Sequence, residues 1–137
     1  MMNPNDPNII GGVDYDSQLT KKWSKAILDG GYTVIPNLLI KHMTDLGIQP
    51  YHLAVLVAIE MHRWRPESAW PSQQALANIT GYSLKRINEI TTELNDMDLV
   101  KKIYRVGTPC LYNFDPLVNQ LEELIGISHK PPLIVKV

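Results

Sequence analysis

"SQQALANITGYSLKRINEITTEL", residues 72–94, decides the fold. Ser72 is a good N-cap for a helix over about 73–79. Gly81 enters the left-handed conformation that a sharp turn needs. Ser83 caps a second helix over about 84–95. On that helix Leu84, Ile87, Ile90, Thr91, Leu94 and Met97 recur at the helical period and form the inward stripe. Ala77, four residues before Gly81, is small enough for the second helix to cross the first. Leu76 and Tyr82 can fill the crossing. Small residue, glycine, cap and stripe together specify a helix-turn-helix.

Working outward, "LVKKIYRV" (99–106) reads as a strand, "GTP" as a turn and "CLYNF" (110–114) as a returning strand. Asp115 or Pro116 starts a last short helix to about Ile125. Upstream, Pro50 opens a helix over about 50–64. There Leu53, Leu56, Val57 and Trp64 form one apolar stripe, with Val55 and Ile59 on the other side. A helix so apolar is buried on several sides and central. Glu60, near that stripe, is expected in a buried ion pair or at an edge. Pro36 disfavours helix at Ile35, and residues 37–45 form a short helix that Gly47 ends. Leu19, Trp23 and Ile27 lie four apart on an earlier amphipathic helix stopped by Gly30 and Gly31. Lys21, Lys22 and Lys25 lie off its stripe, as a solvated face or as extra phosphate contacts.

The fold class is mainly α with a small β-hairpin, a winged helix-turn-helix. Residues 1–30 are a flexible leader plus a short amphipathic helix, 31–115 the winged helix-turn-helix domain, and 116–137 a short helix and extended tail.

Composition bounds the function. The 137 residues suffice for one ordinary domain, and 45% hydrophobic against 20% charged is normal for a globular chain. Thirteen basic against fourteen acidic residues leave a net charge of -1, so there is no global basic field for nucleic acid. A single cysteine, Cys110, excludes an intrachain disulfide and fits a reduced, cytoplasmic setting. No apolar run reaches the roughly 18 residues of a membrane span. The start, "MMNPNDPNII", lacks the pattern of a signal peptide. His52 and His62 are ten apart and do not share a helix face. There is no zinc spacing and no phosphate loop. The expectation is a non-enzyme with no cofactor and no metal.

The second helix of the motif presents Ser83, Lys85, Asn88, Glu89 and Thr92 outward, with Arg86 at the edge. Asparagine can pair with adenine, Arg and Lys with guanine, and Glu with cytosine N4. Between Ser83 and Arg105, five basic groups (Lys85, Arg86, Lys101, Lys102, Arg105) face four acids (Glu89, Glu93, Asp96, Asp98). The bases gather at the helix start and in the wing strand, where winged helices approach DNA. Lys101 and Lys102 also fit a guarded strand edge.

With these residues in view, "GGYTVIPNLLIKHM", "WPSQQALANITGYS" and "LKRINEITTELNDMDLVKK" resemble the winged-helix domains at the N-termini of phage and plasmid replication initiators. The origin-binding domain of the phage lambda replication protein is one of these. The resemblance covers about residues 31–114. It implies origin or operator DNA binding, usually by dimers on repeated sites. It makes Ser72, Gln73, Ser83, Lys85, Arg86, Asn88, Glu89 and Thr92 candidate DNA contacts, to which the wing adds Lys101, Lys102 and Arg105. Two departures stand out: many such helices are basic where Glu89 stands, and initiators usually carry a second domain. The chain is thus a fragment or a small stand-alone regulator. Double-stranded DNA is the expected partner, for replication initiation or transcription control. A homodimer is compatible with this, with Leu117, Leu121 and Leu124 forming an interface or closing the core. The alternative is a protein-interaction module on the same scaffold. The apolar tail "PPLIVKV" would then meet a replication or regulatory protein by strand addition.

Overall fold

The computed structural model describes residues 9, 10, 13, 14, 17–64 and 68–128. The expected extended tail at 129–137, most of the leader and residues 65–67 lie outside the described residues. The chain divides into two compact units, Met1–Val34 and Ile35–Val137.

In the first unit, β1 (Ile9–Ile10) pairs antiparallel with β2 (Val13–Asp14), inside the stretch expected to be loose. The expected single helix is two, α1 (Ser17–Trp23) and α2 (Lys25–Asp29). Ser24 breaks it: its φ is 68°, unusual for a residue with a Cβ, and its Oγ accepts from Ile27 N at 3.4 Å, capping α2. The break changes the inward face. Leu28 is buried against Leu19, whereas Trp23 and Ile27, placed on the expected stripe, are exposed.

In the second unit, α3 (Asn37–Lys41) is shorter than the expected 37–45 and precedes a turn at Gly47, φ 74°. The central helix α4 (Pro50–Glu60) starts at Pro50 and buries His52, Val55, Leu56, Ala58 and Ile59. It stops before the expected residue 64. His62 N and Arg63 N bond back three residues, to Ile59 and Glu60, and this tightened turn ends the helix. Trp64, expected on the main stripe, is 85% exposed as a result. Glu60 has its ion pair: both carboxylate oxygens accept from Arg63, at 2.7 and 3.1 Å, and that guanidinium covers the Phe114 ring.

Helix α5 (Gln73–Thr80) and helix α6 (Leu84–Asp96) form the helix-turn-helix. Ser72 Oγ accepts from Ala75 N and Ser83 Oγ from Arg86 N, so each helix starts on its predicted cap. Gly81 has φ 81° and open space where a Cβ would stand, so the backbone, not packing, demands glycine there. Leu76, Ala77, Ile87, Ile90, Thr91 and Leu94 are buried, and α4 packs against both helices. Leu84 departs from the expected stripe and is 47% exposed.

Leu99 and Val100 are buried but unpaired as strand, because both their N–H groups donate to Leu94 O. The hairpin is therefore shorter than expected: β3 (Lys101–Ile103) runs antiparallel to β4 (Leu111–Asn113), with Lys102 opposite Tyr112. On the other side of β4, Ala69 and Tyr112 exchange both backbone hydrogen bonds, an extra pairing the sequence does not suggest. Helix α7 (Asp115–Leu124) buries Leu117 and Leu121 in the common core and leaves Leu124 exposed. Two of the three leucines considered for a dimer interface thus close the domain instead. Helices, helix-turn-helix and hairpin in this order are a winged helix.

Tyr112 supplies a test of the core. Its side chain is buried, and its hydroxyl has no hydrogen-bond partner among the described residues. Burial pushes the phenol up to about 12; Cys110 adds to this, while the Thr91 hydroxyl, near but outside hydrogen-bond geometry, pulls it back. A raised acid stabilises the fold below the unfolded pKa, near 10, and that contribution fades as pH rises toward 12. Tyr112→Phe removes an unpaired buried hydroxyl. It is expected to be neutral or stabilising by up to about 1 kcal/mol at neutral pH and to abolish this part of the alkaline loss. Urea denaturation across pH checks both.

Candidate nucleic-acid interface

The outer face of α6 and the hairpin carry most of the predicted contacts, and they fall into two networks. In the first, Arg86 is an edge residue that folds back on the helix. Its guanidinium donates to Glu89 at 3.1 Å, lies 3.5 Å from Glu93 and covers the Tyr51 ring of α4 at 4.6 Å. The hydrogen bond with Glu89 chiefly holds its pKa above the ordinary value, with Tyr51 and Glu93 adding and burial opposing. Glu93 also accepts from Tyr51 Oη at 3.4 Å. His52 Nδ1 accepts from Gln49 N in the capping box of α4, so its proton sits on Nε2. That Nε2 lies 3.5 Å from Glu93, an electrostatic contact outside hydrogen-bond geometry. Glu93 therefore ties α6 to α4.

The second network joins α5, α6 and the wing. Lys102, expected as a DNA-facing wing or edge lysine, is instead buried, with 7% exposure. Its Nζ donates to Asn88 Oδ1 at 2.8 Å and Thr91 Oγ1 at 3.0 Å and lies 5.2 Å from the centre of the Tyr104 ring. Its backbone N–H donates to Asn95 Oδ1, pinning β3 to the end of α6. The reason is strand alternation: Lys101 and Lys102 are adjacent, so they point to opposite faces, and one face lies on α6. Gln73 Nε2 donates to the same Asn88 Oδ1 at 3.2 Å.

The remaining candidates separate by environment. Lys85 and Lys101 are exposed and outside any ion pair among the described residues. Arg105 is exposed, but its Nε and Nη2 donate to Pro109 O and brace the wing turn. Ser72 and Ser83 have their hydroxyls committed to caps, and Thr92 is half-buried on α6. Tyr51, His52, Thr91 and Asn95 were not anticipated here. Only Thr91 carried a signal, as a polar residue on the apolar stripe.

Among the described residues, no group of three or more His, Cys, Asp or Glu is gathered for a metal ion, and no helix is long and apolar enough to cross a membrane. No family model matches the chain, and no curated protein matches it. Among solved structures, the N-terminal domain of the DnaD protein from Geobacillus kaustophilus is similar in fold. The TM-score is 0.57 at 19% identity, over 80% of this chain and 90% of that one.

Proposed function

We propose that this chain binds double-stranded DNA sequence-specifically through α6 and its wing, in phage- or plasmid-type replication initiation or as a small transcriptional regulator. One observation carries the DNA reading: the Lys102–Asn88 bond docks the hairpin on the outward half of α6. Lys85 and the amide side chain of Asn88 are both exposed on that helix, and the docked strand adds the exposed Lys101, one residue before Lys102 and on its opposite face. Phosphate contacts that position and a polar side chain that reads a base edge are the two parts of such an interface. The shared fold with the DnaD domain supports the scaffold of this reading. The replication role, including the finer likeness to lambda-type initiators, rests on the sequence resemblance.

The charge arrangement sets the strength. Of the five cations between Ser83 and Arg105, Lys102 is buried and Arg86 is shared by two acids. Lys85, Lys101 and Arg105 remain, for a log-log salt slope of roughly -3. Selection of bound duplexes from random DNA, followed by salt titration of the winner, tests this. An enriched site with such a slope is expected. No enrichment and no slope at low ionic strength would sink the DNA reading. It would favour the protein-interaction alternative, which the self-neutralised Arg86–Glu89–Glu93 edge of α6 supports.

A further inference from the structure

We infer that Lys102 is a positioning residue which sets the Gln73–Asn88 amide pair to read guanine rather than adenine; this rests on the DNA-binding reading above. The chemistry of the donors fixes the orientation of both amides. A lysine ammonium only donates. The Asn88 atom 2.8 Å from Lys102 Nζ is therefore the oxygen, Oδ1, and Nδ2 is turned away from Lys102. Gln73 approaches the same oxygen at 3.2 Å, so it presents its Nε2 and keeps Oε1 open. Both lone pairs of Asn88 Oδ1 are thereby used. The ammonium in turn is saturated by Asn88, Thr91 and the Tyr104 ring. Being buried, it is a fixed part of the domain rather than a mobile surface charge.

This occupancy restricts what Asn88 can recognise. The paired contact of asparagine with adenine needs Oδ1 to accept from N6 while Nδ2 donates to N7. With Oδ1 taken, Asn88 offers donors only. Guanine is the base whose major-groove edge presents two acceptors side by side, O6 and N7. The open Oε1 of Gln73 supplies an acceptor of the kind that cytosine N4 requires. The sequence alone offered Asn88 an adenine; the wing lysine removes that option.

The experiment uses the full chain and the selected duplex, with each base pair replaced in turn. One position should prefer G·C over A·T by at least about tenfold, and Asn88→Ala should erase the preference there alone. In Lys102→Met the preference should collapse to less than about threefold, while the salt slope stays unchanged, because a buried ammonium releases no counterion from DNA. A purely structural lysine would weaken all sequences alike and leave base preference intact. Gln73→Ala, at the half-buried first residue of α5, should move the preference toward adenine without touching the core. It serves where Lys102→Met fails to fold. The proposal is overturned if the Asn88-dependent position prefers adenine in the unaltered chain. It is equally overturned if Lys102→Met or Gln73→Ala leaves the preference intact, or if Lys102→Met lowers the slope by about 0.9 as a phosphate contact would. Absence of any DNA binding removes the DNA reading itself, and this proposal with it.

Discussion

Leu94→Ala is expected to destabilise the winged helix by about 2–5 kcal/mol, and Leu84→Ala by less than about 1 kcal/mol. Both leucines belong to the stripe that the sequence assigns to the inward face of α6. They are ten residues apart, and that stripe treats them alike. The structure separates them: Leu94 is 0% exposed and Leu84 47%. Leu94 lies where α6 gives way to the wing, its carbonyl accepting from both Leu99 and Val100. Truncating it removes buried methyl groups and opens a cavity in the common core that fixed backbone cannot fill. Leu84 lies one residue past the Ser83 cap, and its loss removes only partly desolvated surface. Against a total stability of about 5–15 kcal/mol for such a domain, the first change endangers folding and the second does not. Urea denaturation of both variants decides the matter. Equal losses would place the inward face of α6 elsewhere.

The fold was legible because it rests on local, one-dimensional signals. Ser72, Gly81 and Ser83 each act on their own backbone, and each does in the structure what its chemistry predicts. The hydrophobic period located α6 for the same reason, and Pro50 with an apolar run located α4. What the sequence hid depends on a partner distant in the chain. Ala69 pairs with Tyr112 as a single residue, too short to show alternation. The end of α4 follows from a tightened turn and from Arg63 covering Phe114, not from any residue that breaks a helix. The break at Ser24 requires a positive φ that serine rarely adopts, so nothing in the residue type announces it.

The candidate site shows the same division. A helix face predicts which side chains point outward, but not whether they are spoken for. Composition makes Lys102 a DNA-facing cation, whereas alternation along β3 requires one of Lys101 and Lys102 to turn inward. That Lys102 is the one, and that it meets Asn88 and Thr91, depends on where the hairpin lies on α6. Composition likewise makes Arg86 an available cation. Its place over the Tyr51 ring depends on the packing of α4 against α6.

Glu89→Gln is expected to raise DNA affinity about tenfold at roughly 0.1 M salt, nearly uniformly across sequences, and to steepen the salt slope by about 0.9. From sequence alone Glu89 had two explanations: it reads a cytosine, or the helix does not enter a groove. The structure supplies a third. Glu89 accepts from Arg86 at 3.1 Å and, with Glu93, holds that guanidinium against Tyr51. The pair is partly exposed, so in water it contributes little to stability. Its effect is on the charge offered to DNA. A neutral glutamine at position 89 weakens the restraint and removes a carboxylate that repels phosphate. The freed guanidinium adds one phosphate contact, and one contact corresponds to about 0.9 in the slope. Arg86→Ala should cancel most of the gain in the double variant, because the benefit passes through that side chain. A base-reading carboxylate behaves differently: its loss lowers affinity for the selected site and relaxes choice at one position, while non-specific duplexes are little changed. Titrating the unaltered chain, the single variants and the double variant on selected and scrambled duplexes separates the two. A loss confined to the selected duplex in Glu89→Gln would return Glu89 to base readout.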